Sequence, residues 1–247
     1  MKVILAACAV ALLLQAQMPV PRTDQSSMIA HQQLLEKKKQ GRIDVYFEGD
    51  SITRRWAATD YPYLLANWNQ NFFGWNAADF GWGADKVENI LWRIENGELD
   101  DVNPKVMVLL AGTNDVGNHA QPGDVTSGLK AVLRVMREKA PGATIILMGI
   151  FPRNDRVDAM PVINQINANL EKLADGKQVR YLNINRKLAN ENGKLLEGMM
   201  NPDKLHPEPK GYQVWADALK PLLLELLGPP APEDHAPPPT GDPSAHQ

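Results

Sequence analysis

Residues 45–56 read VYFEGDSITRRW. A run of strand-forming residues breaks at Gly49-Asp50 and gives way to a helix-compatible stretch. Such a junction is ordinary when Gly49 relaxes the backbone and Asp50 or Ser51 caps the helix that follows. Open α/β sheets, however, bind their ligands beyond the carboxyl ends of the strands, so a serine at this turn is also a candidate nucleophile. The turn alone leaves both readings open.

Working outward, short apolar runs mark strands at Ile43–Phe47, Ala78–Gly81, Val106–Ala111, Thr144–Ile150 and Val179–Ile184. Helical spacing predicts helices near 26–39, 53–69, 85–95, 124–139, 160–174 and 208–227. Tyr212, Trp215, Leu219, Leu222 and Leu223 form a core-facing stripe on the last of these. Strands alternating with helices predict a parallel sheet covered on both faces. The turns EGDSIT, GWGADK and AGTNDVG each follow a strand, so all three fall on one edge of that sheet.

Acyl transfer needs a nucleophile, a base and donors for a developing oxyanion. Asn114, in AGTNDVGNH, offers a side-chain N–H near Ser51. In NPDKLHPEPKGYQVWAD, residues 201–217, Asp203 and His206 are three apart and flanked by Pro202 and Pro207. A serine needs an imidazole to take its proton, and a carboxylate best holds that imidazole. Of the other histidines, His235 and His246 lie in the tail and His31 in a polar leading helix. His119 is the competing base and reads as a residue of the pocket rim or surface.

Together GDS at 49–51, FGWGAD at 80–85, GTND at 112–115 and DKLH at 203–206 resemble the four ordered blocks of the SGNH (GDSL-type) hydrolases. The stretch FGWGADKVENILWRIENGELDDVNPKV is also similar to the catalytic subunits of the platelet-activating factor acetylhydrolases. The resemblance implies a flavodoxin-like three-layer α/β/α sandwich with a five-stranded parallel sheet. It makes Ser51 the nucleophile, His206 the general base and Asp203 its orienting carboxylate. The oxyanion hole would comprise the Ser51 N–H, the Asn114 side chain and the Ala84 N–H. One position departs from the family's pattern, since the residue before the Asp of the second block, normally Gly, is Ala84 here. Its N–H remains a donor if φ is negative, with Gly83 giving the loop its freedom.

The 247 residues suffice for one α/β domain with extensions, here residues 24–228. A net charge of −3 and a pI near 6.0 give no footprint for nucleic acid or an anionic membrane. Residues 1–17 read as a secretory signal, too short to span a bilayer, which predicts a secreted or periplasmic protein. The rival lipidation box LAAC places Cys8 ahead of most of the apolar run. Cys8 is the only cysteine, so the mature chain is expected to have no disulfide and no thiolate-held zinc. Seven of 19 prolines fall in the last 20 residues, and 229–247 read as a disordered tail with little buried surface.

The leading expectation is an esterase for short acyl groups, acetate first, with a carbohydrate ester as one candidate substrate and no cofactor or metal. Trp56, Trp75 and Trp82 fit sugar stacking or core packing equally. The alternatives are a phospholipid-directed acylhydrolase or lysophospholipase, a flavin-binding module and a non-catalytic carbohydrate-binding protein. Against flavin, Asp50 opposes a phosphate at the first turn. GWGADK lacks the third glycine of a dinucleotide fingerprint.

Overall fold

The computed structural model describes residues 18–156 and 158–243; the expected signal, residues 1–17, lies outside them. Five strands, β1 Val45–Gly49, β2 Ala77–Asp79, β3 Val106–Leu110, β4 Thr144–Met148 and β5 Val179–Leu182, form one sheet in the order β2-β1-β3-β4-β5. All four pairings are parallel. This is the expected flavodoxin-like order, whose direction of winding reverses between β1 and β3.

Alternation along each strand divides the core into two layers. Tyr46, Met107, Leu109, Ile145 and Leu147 face one layer, with Leu34, Ile90, Leu129, Val132, Ile163 and Ile166 packed on them. These come from helices α1 (Gln25–Lys37), α4 (Val87–Arg93), α6 (Pro122–Lys139) and α7 (Ala159–Glu171). Val45, Phe47, Val108, Leu110, Ile146 and Met148 face the other layer, built from α2 (Ser51–Ala57), α3 (Pro62–Phe72) and α9 (Pro209–Leu227). Two short helices, α5 (Thr113–Gly117) and α8 (Asn185–Leu188), follow β3 and β5.

The second layer is aromatic. Phe47 meets Trp68 and Phe72 edge-on at 4.7 and 5.1 Å, and Trp56 lies 4.7 Å from Trp215. Trp56 is fully buried, and Trp75 and Trp82 are 6 % and 8 % exposed. Packing therefore claims all three tryptophans, and the sugar-stacking alternative fails for them.

Two helical expectations change at breaks. The predicted helix 53–69 divides into α2 and α3, because Ala58 turns extended and Pro62, which cannot continue a helix, starts the next one at its first turn. Helix α4 runs into a π-type turn, Ile94–Glu98, where Gly97 adopts φ +110°.

The larger correction concerns the C-terminal tail. Described residues 229–243 run extended along the body instead of trailing free. Ala231 N–H donates to Gly74 O, Arg42 N–H to His235 O and Thr59 N–H to Thr240 O. The Asp234 carboxylate accepts from Gly74 N–H, Asn76 Oδ1 from His235 N–H and Asp60 from Asp242 N–H. Pro237 is buried. A proline-rich segment cannot build a core, but it can dock through its remaining main-chain groups, which composition does not reveal. This strap passes the outer edge of β2 and leaves a cleft of about 300 Å³ between Pro237–Pro239 and Trp68, Phe72, Ala77 and Ala78.

Candidate active site

Strand β1 ends where the backbone is most crowded. A Cβ on Gly49 would sit 2.1 Å from Thr53 Oγ1 and 2.5 Å from Leu110 O, so only glycine lets the chain turn there. Asp50 then caps α2, its Oδ1 accepting from Ile52 N–H at 2.9 Å. Asp50 is fully buried, and burial, against that N–H, pushes its pKa up to about 7. It braces the turn, and Ser51 emerges half-buried as the first residue of the helix.

The segment before α9 faces it. Ser51 Oγ lies 2.8 Å from His206 Nε2, and His206 Nδ1 lies 2.7 Å from Asp203 Oδ2. A carboxylate only accepts, so the ring proton sits on Nδ1 and Nε2 is left to accept from the serine. Asp203 Oδ1 takes the N–H groups of Leu205 and His206, each at 2.9 Å, and Lys204 at φ +58° completes the tight turn. Burial raises the Asp203 carboxyl, but the His206 and Leu205 N–H groups and the imidazole outweigh it, and its pKa is lowered. Burial leads in lowering the His206 pKa; Asp203 opposes the shift and Arg55 adds to it.

The second and third turns supply donors. Asn114, in the first turn of α5, gives one side-chain N–H to Asp85 O at 2.9 Å, which leaves its second free to point elsewhere. Ala84 has φ +63°. The sequence expectation placed conformational freedom at Gly83 and a negative φ at Ala84; the structure instead puts Ala84 itself in the left-handed region, the place of the family's glycine. The N–H survives in either conformation, and no described residue accepts from it or from Ser51 N–H. Strain, not donor loss, is the cost of the alanine.

Sequence reasoning missed what ties these turns together. Arg93 is buried and donates to Glu48 Oε1 at 2.6 Å, Asp85 Oδ2 at 2.7 Å and Phe80 O at 2.8 Å, and it also pairs with Glu98. Glu48 precedes the serine turn and Asp85 follows Ala84, so one guanidinium joins the first two blocks. A signal existed: a glutamate in a strand buried on both faces demands a partner. Burial pushes Glu48 up to about 8 despite Arg93. His31, read as part of a polar helix, is buried against Glu98, its Nδ1 2.7 Å from Oε1. A second buried arginine, Arg153 after β4, donates to Thr113 O at 2.6 Å and to Asp155, and so braces the Asn114 turn. His119 is an exposed surface residue beside Arg156 and Asp158.

Among the described residues no cluster of three or more His, Cys, Asp or Glu is arranged to hold a metal, and no helix is long and apolar enough to cross a membrane.

A serine, an imidazole and a carboxylate in hydrogen-bonded series at the switch edge of a parallel sheet have the layout of an α/β ester hydrolase. The chain belongs to the GDSL-like lipase/acylhydrolase family, whose model matches residues 47–214, and it is a carboxylic ester hydrolase by class. It is 30% identical over 202 residues to the human platelet-activating factor acetylhydrolase IB subunit alpha1, covering 81% of this chain and 84% of that protein. Similarity to the rat alpha2 subunit is 30% over 209 residues, 83% of this chain and 86% of the relative. A crystal structure of a GDSL-like lipase from Bacteroides thetaiotaomicron superposes with a TM-score of 0.65 at 19% identity, over 80% of this chain and 98% of that one.

Proposed function

We propose that the protein hydrolyses short acyl esters, acetate first, through an acyl-enzyme on Ser51. The observation that carries this is the continuous series from Ser51 Oγ through His206 to Asp203, at 2.8 and 2.7 Å. Ser51 Oγ attacks the ester carbonyl while its proton passes to His206 Nε2. Charge on the tetrahedral oxygen meets the N–H groups of Ser51 and Ala84 and the second side-chain N–H of Asn114. Collapse expels the alcohol, which takes the proton back from His206. A water, deprotonated by the same imidazole, then releases the acid. Asp203 holds the ring and stays ionised, in keeping with its lowered pKa.

The short acyl preference rests on the polar loops at this edge, DSITRRW, GWGADK and GTNDVGNHAQPGD, and on the acetylhydrolase relatives. Those same relatives give a phospholipid-derived alcohol its place as the second reading. The signal-like residues 1–17 support export to the periplasm or medium.

Ser51→Ala removes a half-exposed hydroxyl and leaves no cavity. Turnover of p-nitrophenyl acetate should drop by about a thousandfold or more, with the melting curve unchanged. A folded variant retaining wild-type turnover would refute the nucleophile. On a p-nitrophenyl series, kcat/KM should be highest from acetate to butyrate; rates rising through octanoate would overturn the short-acyl preference and point to a lipase.

A further inference from the structure

Arg55 lies one helical turn beyond Ser51 on α2, so its side chain leans back over the serine's face of the helix. Its guanidinium covers the Tyr61 ring at 5.3 Å and forms an ion pair with Asp203 Oδ2 at 3.8 Å, too long for a direct hydrogen bond. The side chain is only 25 % exposed. Even so, none of its five N–H donors is engaged by a described residue. Neighbouring arginines are committed: Arg54 to Asp60 at 2.6 Å, Arg153 to Thr113 O and Asp155, and Arg156 to Gly117 O and His119. A guanidinium backed by an aromatic ring, largely buried and with unspent donors, is built to take a planar or tetrahedral anion.

Its position says which part of a substrate carries that anion. The leaving oxygen takes its proton from His206 Nε2, so the alcohol departs on the imidazole side, and Arg55 stands there beside Asp203. The oxyanion donors Ala84 and Asn114 come from the turns after β2 and β3 instead. We infer that Arg55 binds a carboxylate or phosphate carried by the alcohol part of the ester, a few bonds from the scissile oxygen. The enzyme is then selective for short acyl esters of anionic alcohols. The inference rests on the ester-hydrolase reading of Ser51 and narrows its substrate class.

Acetate release from 4-acetoxybutanoate, 3-acetoxypropyl phosphate and the neutral methyl 4-acetoxybutanoate tests it. The wild type should favour one or both anionic esters in kcat/KM, and the preference should shrink in about 0.5 M salt. Arg55→Gln should cut the anionic-to-neutral ratio about tenfold or more, mainly through KM, and Arg55→Lys should keep part of it. Which anionic ester loses more identifies the carboxylate or the phosphate. Equal losses on all three esters, or a wild type that prefers the neutral one, would overturn the inference while leaving the hydrolase reading intact. No acetate from any of them would overturn both.

Discussion

At the scale of single residues, the proposed mechanism turns on the charge on one imidazole. In it His206 serves as the base only when neutral, so kcat/KM should rise with pH through its pKa. Burial and Arg55 lower that pKa more than Asp203 raises it. The rising limb should therefore lie below the ordinary histidine value of about 6.5. Arg55→Gln removes a lowering influence and should move the limb to higher pH. His119→Gln should leave the limb where it is, because that side chain is exposed beside Arg156; a limb that shifts with His119 would transfer the base. That Ser51, His206 and Asp203 come together, with Asn114 on a neighbouring turn, was legible in the sequence because the proposed chemistry is tied to residue type and block order. Arg55 was not, because its meaning lies in donors left unspent, a property of the packed structure and not of the letters RR.

At the scale of elements, the informative unit is the loop after β2. Ala84 holds a left-handed conformation that costs a non-glycine residue about 1–2 kcal/mol. The loop keeps it because Arg93 grips Asp85 on one side, and Gly81 is pressed against Arg54 N and Asp50 O on the other. A Cβ on Gly81 would lie 2.6 Å from that nitrogen, so only glycine permits this close approach. Ala84→Gly should stabilise the protein by about 0.5–1 kcal/mol, since relief of strain exceeds the added backbone entropy of the unfolded chain. Ester turnover should persist, because the N–H is kept. A lower melting temperature would mean that the Ala84 methyl packs usefully. Apolar runs and helical spacing located the strands and the main helices. The break before Pro62 escaped because apolar spacing continues across it, and the backbone changes state on main-chain geometry alone.

At the scale of the whole molecule, the strap of residues 229–243 decides how the sheet's first edge is finished. Edge strands invite pairing with other chains, and β2, only three residues long, has the strap running past it. Removing residues 229–247 strips main-chain hydrogen bonds from Arg42, Thr59 and Gly74 and uncovers the wall formed by Trp68 and Phe72. The truncated chain should lose about 1–3 kcal/mol and melt a few degrees lower, while its turnover of a small acetyl ester persists at moderate temperature. An unchanged melting curve would mean that these contacts add nothing in solution. Composition missed the strap because proline content reports what a segment cannot build, not what it can lie against. The strap also sets an order of events in biosynthesis. Arg42 reaches its partner His235 only after all the residues between them have been made, so every nascent copy passes through a stage with β2 unguarded, and chains crowded together at that stage should associate through that side before any other.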